Sequence, residues 1–477
     1  MLGVPIGCQE FVKEELLSKV TSLSKASPDI AQYPDPQQAA TLLRLCYANK
    51  LNYHLRTIDC NITQTAAIHH DTNVEVCFRG IVGHNHELTR EEWLQVILDT
   101  KDGGFGVPSA AKTRWAAYLA SGLGCLKNMR ALAAHFGLQM DLQHLDTSPT
   151  PLVRNLRQCH QRISDMLIVT GMVFPSLQEL AANTKALQHK ITEKLSRHLK
   201  HNLLTHLDTK GRMRLESCAR EGGGWLACVA KTPDQRLTPE QFRIQVFKRL
   251  GKDLPQLTRM PCICKHGTID TKGFHLCSQC PVGNQRFQTH DAIALTWVAL
   301  LKQAGFMCRV EDPGCFRELQ DTNKRADIVV DNWEDGKRAI FDISVTHPWT
   351  QESLRVAGRS DGYVEQAASL REKQKVNKYE RSCPNNTVFI PLVFETYGRW
   401  GAQARPVFKK CIDRVVANKA APKAVVTAYW RQRFSVVLQR YTASCILERI
   451  RRVVVREPAT CGDESNRLDY RVLGHCR

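Results

Sequence analysis

The sequence predicts a mixed fold: a mainly α-helical first half, a small metal-binding segment, and an α/β domain with a helical C-terminal extension. Apolar residues recur every three or four positions through much of the first half, which is the period of an amphipathic helix. Cysteine and histidine then crowd into residues 262–290, and two β-branched runs enclose a loop at Asp335 and Gly336. We expect four regions, with bounds at 1–255, 256–290, 291–405 and 406–477.

Composition agrees with a basic intracellular protein. A chain of 477 residues can bury more than one core, because single cores stop growing near roughly 250–300 residues. Lys and Arg outnumber Asp and Glu by 66 to 47, a net charge of +19 that favours polyanionic partners but is equally typical of a well-solvated surface. The 19 cysteines form no disulfide pattern, and neither a membrane-length apolar run nor a signal peptide is recognisable.

Four stretches of the first half carry helical periodicity. Val12, Leu16, Val20 and Leu23 would share one helix face. The other candidates are residues 37–51, 115–134 and 177–207. On the residues alone, a helical scaffold without chemistry is the favoured interpretation.

The crowded segment has the spacing of a structural zinc site. Its pattern is Cys-x-Cys-x10-His-x4-Cys, with two close pairs separated by a loop that can reverse the chain. The predicted ligands are Cys262, Cys264, His275 and Cys280, with Cys277 and His290 as competing ligands. The alternative is a loop of reduced thiols.

Residues 325–348 predict a β-hairpin that carries two aspartates. A turn centred between Glu334 and Asp335 sets Asp327 directly opposite Asp342, whereas a two-residue Asp335-Gly336 turn makes them diagonal neighbours on the same face. The core face would hold Ile328, Val330, Phe341, Ile343 and Val345.

Facing carboxylates destabilise a sheet unless something offsets their charge. Mg²⁺ would do so, because carboxylate oxygens are its preferred ligands, and it could then polarise a scissile phosphate. A solvated hairpin edge that deters aggregation is the competing interpretation.

Several phrases, taken in order, resemble the region that follows the polymerase palm in non-LTR retrotransposon reading frames. They are LGVPIG (2–7), GGFGVPSAAKTRWAAYLAS (103–121), RLESCAREGGGWLACV (214–229) and FKRLGKDLP (247–255). In that family a thumb-like helical region precedes a Cys/His motif similar to the one described above. The chain contains no Tyr/Phe-x-Asp-Asp sequence, so we expect no DNA synthesis from it alone. Because its N-terminus falls within the family pattern, we expect it to be part of a longer polyprotein.

The hairpin resembles the core of PD-(D/E)xK nucleases, in the form carried by restriction-like retroelement endonucleases. Glu311 is similar to the family's upstream acidic residue. Ala326 stands where the family often has proline, and Ser344 stands where the lysine of D/E-x-K would be. In the retroelement branch the lysine comes from the following helix, and AASLREKQKVNKYE resembles its Lys-x-x-Lys-Tyr pattern, with Lys375 as first choice and Lys378 as second.

That helix is predicted over residues 363–381, with Asp361 as its N-cap. Ala368, Glu372, Lys375 and Tyr379 would lie on one of its faces. Glu395, at the end of the next predicted strand, is interpreted as structural rather than catalytic.

The resemblance implies a DNA endonuclease module that nicks target DNA to expose a 3′-hydroxyl for reverse transcription. Asp327 and Asp342 would bind Mg²⁺ or Mn²⁺, Glu311 would assist, and Lys375 would orient water or steady the phosphate. The implied partners are target DNA, possible element RNA and an upstream polymerase region, in the nucleus and without a membrane. Two rivals remain: a non-catalytic nucleic-acid-binding remnant or domesticated element protein, and an interaction scaffold stapled by zinc.

Overall fold

Helices dominate the chain in a computed structural model that describes residues 3–137, 144–282, 285–312, 325–334, 336–357, 367–419 and 421–454. About 62% of the structure is helical, and the strands form two small sheets, as expected of a mixed α/β fold. None of the described helices combines the length and the apolar character needed to cross a bilayer.

Twelve helices lie within residues 3–137 and 144–255. They are α1 (Gln9–Ser24), α2 (Ser27–Ala31), α3 (Pro36–Leu42), α4 (Asn52–Thr57), α5 (Gln64–Val82), α6 (Arg90–Ile97), α7 (Ala110–His135), α8 (Pro151–Ile168), α9 (Leu177–Ala182), α10 (Leu187–His206), α11 (Thr209–Ser217) and α12 (Pro239–Leu250). A π-helical turn, Leu43–Tyr47, continues α3. In α1 the predicted face is buried at Val12, Leu16 and Val20, as helical periodicity requires.

The single helix predicted over residues 177–207 is wrong, because the structure has two. A capping box of Ser176 and Glu179 starts α9, which ends at Ala182. Ala186, which directly precedes α10, has a left-handed backbone with φ of 53°, so the chain cannot continue as one helix there. The apolar period runs through both helices and therefore does not reveal the interruption.

The metal-binding segment consists of a short antiparallel pair and one helical turn. Strand β1 (Met260–Pro261) pairs with β2 (Thr268–Ile269), and α13 (Phe274–Ser278) follows. Asp270 accepts hydrogen bonds from the backbone N–H groups of Phe274 and His275, and so caps the start of α13.

A four-stranded mixed sheet forms the centre of the α/β part. Its strands are β3 (Cys308–Asp312), β4 (Ala326–Glu334), β5 (Lys337–Thr346) and β6 (Thr387–Glu395), in that order. The first three are antiparallel neighbours, whereas β5 and β6 are parallel. The helices of this part are α14 (Gln285–Gln303), α15 (Gln351–Ala357), α16 (Ala367–Tyr379), α17 (Ala404–Lys419) and α18 (Lys423–Val454). Asp361, the predicted N-cap, lies outside the described residues.

Both faces of this sheet are covered. The predicted core face packs Ile328, Val330, Phe341 and Ile343, with Val345 at its margin, into a cluster with α14, α17 and α18. On the opposite face, Val329 and Ile340 pack with Val376 and Tyr379 of α16. The aspartates of the hairpin therefore lie beneath a helix rather than on an open edge.

The long helix α18 joins all three parts of the molecule. Trp430 and Phe434 belong to the core of the sheet, Val436 to a core of the helical half, and Ile446 to the core of the metal-binding segment. The stretch predicted as a C-terminal extension is thus integral to the packing as far as Ile450, which contacts the core of the metal-binding segment.

Candidate active site and metal centre

The hairpin uses both of the registers that the sequence allows. Glu334 pairs with Lys337, which is the register of a two-residue turn. Beyond a bulge, Val330 pairs with Ala339 and Ile328 with Phe341, which is the register of the centred turn. The bulge shifts the pairing by two residues, so side chains keep their faces. The same register sets Asp327 opposite Asp342, next to the Ile328–Phe341 pair. Both side chains lie on the face of the sheet that α16 covers.

Asp327 is held by two hydrogen bonds. Its Oδ2 accepts from the backbone N–H of Ile343 at 2.6 Å and lies 3.1 Å from Nε2 of His290. The side chain is 21% exposed, so one side of the carboxylate remains open to a cleft.

Asp342 lies against a lysine of α16. The Lys375 ammonium is 2.9 Å from Oδ1, with the geometry of a hydrogen bond, and 2.8 Å from Oδ2. Burial raises the pKa of Asp342, Lys375 opposes that rise, and the nearby charge of Asp327 adds to it. The predicted lysine and the two predicted aspartates are therefore neighbours in space.

Two buried glutamates fix the position of α16. Glu395 accepts a hydrogen bond from the N–H of Ala368 in the first turn of the helix. Glu372 accepts from the N–H groups of Ala402 and Gln403, and a Cβ at Gly401 would lie 2.0 Å from its Oε1. These contacts hold the face of α16 that carries Lys375 against the sheet.

Ser344 occupies the position of the family's lysine, but an arginine that the sequence did not single out supplies a positive charge beside it. Arg371, one helical turn before Lys375, donates from Nε to the Ser344 hydroxyl at 3.2 Å and lines the same cleft. The signal was present in the i, i+4 spacing of Arg371 and Lys375, which sets both on one helix face.

His290 was considered as a zinc ligand, but the structure brings it to the aspartates. Its Nδ1 lies 2.9 Å from Asp291 and its Nε2 3.1 Å from Asp327. Burial disfavours the charged imidazole, but the hydrogen bonds and charges of Asp327 and Asp291 outweigh it and raise the pKa of His290 to about 9. The charged imidazole therefore donates a hydrogen bond to Asp327 and helps to fix its position. Spacing along the chain could not indicate this contact.

Two predicted site residues lie away from this group. The register of β3 and β4 sets Glu311 across from Asp327, but its backbone has a positive φ of 48° and its side chain is 66% exposed beside Arg325. Lys378 is exposed, with its ammonium 4.9 Å from the ring centroid of Tyr379. Among the described residues that line the cleft, Lys375 is present, whereas Glu311 and Lys378 are not.

The cleft, called here the carboxylate cleft, has a volume of about 540 Å³. One wall is the sheet and α16, with Asp327, Asp342 and Lys375. The other wall is the metal-binding segment and the start of α14, including Cys280 and the 66%-exposed ring of Phe287. Charged groups of both signs therefore meet in a space large enough for a phosphate and its neighbouring sugars.

The four predicted zinc ligands form one buried group. The ligand atoms of Cys262, Cys264, His275 and Cys280 all lie within 4.8 Å of one another. The sulfurs of Cys262 and Cys280 are 3.6 Å apart, and Cys264 sulfur is 3.3 Å from His275 Nε2. Tetrahedral zinc needs roughly 3.8 Å between sulfurs and roughly 3.6 Å between sulfur and nitrogen, from its bond lengths. The group could therefore hold a metal such as zinc.

Local contacts favour cation binding by this group, through the pKa of one thiol and the space beside the histidine. Burial raises the pKa of Cys262, but hydrogen bonds from Cys264 and Cys280 and the charge of Arg449 reverse the effect and lower it overall. A Cβ at Gly267 would lie 2.7 Å from the His275 ring, so glycine is needed where the loop passes the histidine. Cys277, the other alternate ligand, donates to the Thr442 carbonyl at 3.3 Å and lies outside the group.

Comparison of the chain with models of known protein families and with curated protein sequences finds no match.

Proposed function

We propose that the chain is a divalent-cation-dependent DNA endonuclease module. The observation that carries the proposal is the convergence of Asp327, Asp342 and Lys375 in one cleft beside Arg371. This arrangement suits phosphodiester hydrolysis. The two carboxylates can bind a divalent cation, and that cation and the lysine ammonium can stabilise the negative charge that develops on the phosphate in the transition state.

The carboxylates suit a hard cation such as Mg²⁺ or Mn²⁺. In proteins Mg²⁺ is commonly bound by one or two carboxylates, with waters and substrate phosphate completing its coordination, and a pair of aspartates meets that need. When bound, the cation would polarise the scissile phosphate and make its water ligand more acidic. His290 would hold Asp327 in position, while Lys375 and Arg371 would contact the phosphate and orient the attacking water.

The finer assignment rests on the resemblance to non-LTR retrotransposon polyproteins. In that setting the module nicks chromosomal DNA in the nucleus, and the exposed 3′-hydroxyl primes synthesis by an upstream polymerase region on element RNA. Zn²⁺ at the Cys262 group would be structural, because all four of its ligands are protein side chains.

The test is cleavage of supercoiled plasmid by the purified chain with Mg²⁺ or Mn²⁺. We expect nicked circles from the wild type and a loss of at least about 100-fold in Asp342→Asn, which keeps the shape but removes the charge. The matched control is Asp331→Asn on the neighbouring strand β4, where the carboxylate contacts Arg309 and Arg338 instead of the cleft. Equal cleavage by the wild type and Asp342→Asn would remove the proposal.

A non-catalytic nucleic-acid-binding protein is the second candidate. It is favoured by the direct Lys375–Asp342 ion pair, which balances the buried carboxylate without a cation. That alternative predicts salt-dependent DNA binding by both the wild type and Asp342→Asn, with nicking by neither.

A further inference from the structure

A second cleft lies in the helical half of the molecule. It has a volume of about 640 Å³ between α7, α8 and α10, and we call it the helical cleft. Its polar and aromatic lining includes Arg114, Trp115, Arg162, His198 and Asn202. An adjoining cavity of about 240 Å³ shares Met166, His198 and Asn202 with it and adds Arg90 and Lys112. The carboxylate cleft has none of these lining residues, so the two sites are separate.

Cations of the helical cleft lack carboxylate partners. Arg90, Lys112, Arg114 and Arg162 form no ion pair with any residue that the structure describes. Two acidic residues also belong to the lining: Asp99 contacts Lys101, and Asp165 accepts a hydrogen bond from the neutral amide of Gln161. The four cations outnumber the two carboxylates, Asp99 and Asp165, in the combined lining, so the cleft carries a net positive charge.

These cations also act against one another. Burial lowers the pKa of Lys112, and the charge of Arg90 lowers it further, although Lys112 itself remains accessible to solvent. Burial likewise lowers the pKa of Arg114; the charge of Asp71 opposes this effect, and the charge of Arg162 adds to it. An anion in the cleft would relieve this repulsion, which is the expected condition of an anion-binding site.

Unpaired hydrogen-bonding atoms occur in the same walls. Asn202 Nδ2 lies 2.9 Å from His198 Nε2, whereas the other ring nitrogen of His198 and the Nε of Arg114 have no partner among the described residues. Ser196, only 8% exposed, lines the adjoining cavity with an unpaired hydroxyl. Buried polar groups are normally paired, so this concentration indicates a ligand rich in acceptor oxygens.

The cleft also has an aromatic surface. The guanidinium carbon of Arg114 lies 4.5 Å from the ring centroid of Trp115, which makes a cation–π pair in the wall. Aromatic and guanidinium planes bind the faces of nucleobases when those faces are free. In a duplex the faces of the bases are covered by stacking on their neighbours. An unpaired strand exposes both the base faces and the phosphates to a protein.

We propose that the helical cleft binds an unpaired nucleic-acid strand, with phosphates at Arg114, Arg162 and Lys112 and a base against Trp115. The site goes beyond the endonuclease function, since it holds a strand at a distance from the residues that would cleave DNA. RNA and DNA share this chemistry, and the experiment compares them.

The test measures fluorescence anisotropy of labelled oligonucleotides of roughly 12 nucleotides, RNA and DNA, with the full chain carrying Asp342→Asn. We expect Arg162→Gln and Trp115→Leu each to weaken binding by about fivefold or more. Arg162→Gln should also reduce the dependence of log affinity on log salt by roughly 0.7, as one phosphate contact is lost. The matched control is Arg197→Gln on α10, an exposed arginine paired with Glu193 outside the cleft.

Three results would overturn the proposal. One is an equal loss of affinity in Arg162→Gln and Arg197→Gln, which would indicate a diffuse basic surface. Another is equal binding of a duplex of the same sequence, and a third is displacement of the strand by inorganic phosphate alone. Because strand binding is measured in the Asp342→Asn background, it stands or fails independently of plasmid nicking.

Discussion

At the scale of single residues, the contact between Lys375 and Asp342 decides what the carboxylate cleft can do. The ammonium touches both oxygens of the carboxylate, and both side chains are less than one-fifth exposed. If the cleft hydrolyses phosphodiesters, Lys375→Met should lower plasmid nicking by roughly 100- to 1,000-fold, the usual effect of removing one group that stabilises the transition state.

The control for Lys375→Met lies one helical turn away. Lys378→Met removes the same charge from a side chain that is exposed beside Tyr379, and nicking should change less than about threefold. Equal losses in both variants would mean that α16 acts only through its overall charge. Initial rates at saturating Mg²⁺ separate the two cases.

Asp71 gives a prediction about pH and stability. Its buried carboxylate accepts hydrogen bonds from Ser109, Ala110 and Ala111 at the start of α7, and burial raises its pKa from 3.8 to about 6. The folded protein therefore holds this proton more tightly than the unfolded chain. The contribution is present below pH 3.8 and is lost as pH rises through about 6.

The comparison is with Asp71→Asn, whose amide can keep hydrogen bonds to the same neighbours. Between pH 5 and pH 7.5 the wild type should lose about 1.4 kcal/mol of unfolding free energy relative to the variant. Urea unfolding at the two pH values measures this difference. A constant difference between the proteins would assign Asp71 an ordinary pKa.

Among the predicted residues, those whose positions follow from the periods of strand and helix or from short spacing lie close together in the structure. Asp327, Asp342 and Lys375 meet because strand period and helix period fix their faces, and the four metal ligands meet because their segment is short. His290 was missed, since its contact with Asp327 joins elements distant in sequence, whereas Arg371 was missed although its i, i+4 spacing from Lys375 sets it on the same helix face. Glu311 was predicted by likeness alone, and a left-handed backbone turns this region of β3 away from ideal strand geometry.

At the scale of elements, helical period predicted α1 and the helix over 115–134, which lies within α7. It failed over 177–207, because periodicity continues through an interruption that local backbone geometry creates. It also gave no indication that α18 would contribute to three cores, since contacts between remote elements leave no periodic signal.

The metal-binding segment should depend on its ion for order. If the Cys262 group holds zinc, ligation should add to the stability of the short two-stranded pair and the single helical turn, beyond their packing against α18. We expect Cys280→Ser to abolish the bound zinc, measured by elemental analysis as the metal-to-protein ratio, and to lower the melting temperature.

The adjacent buried cysteine provides the control. Cys277→Ser should keep its full zinc content, because the Cys277 thiol contacts the Thr442 carbonyl and a hydroxyl can do the same. If Cys277→Ser loses zinc and Cys280→Ser retains it, the ligand set given by the structure is wrong.

At the scale of the whole molecule, α18 makes folding of the parts interdependent. Phe434 packs against Trp297, Phe394 and Trp400 in the core of the sheet, and Ile446 is fully buried in the core of the metal-binding segment. A rigid helix shared by several cores couples their unfolding, because neither core can lose the helix without exposing the other.

Thermal unfolding of the zinc-loaded chain should therefore show one main transition that both cores share. Phe434→Ala should cost about 3–5 kcal/mol and Ile446→Ala about 2–5 kcal/mol, and both should move that same transition to lower temperature. Tyr429→Ala, at a 37%-exposed position of the same helix, should move it little. The coupling would be contradicted if calorimetry showed two separate peaks and each core variant shifted a different one. The two halves of α18 would then unfold independently, although they belong to one helix.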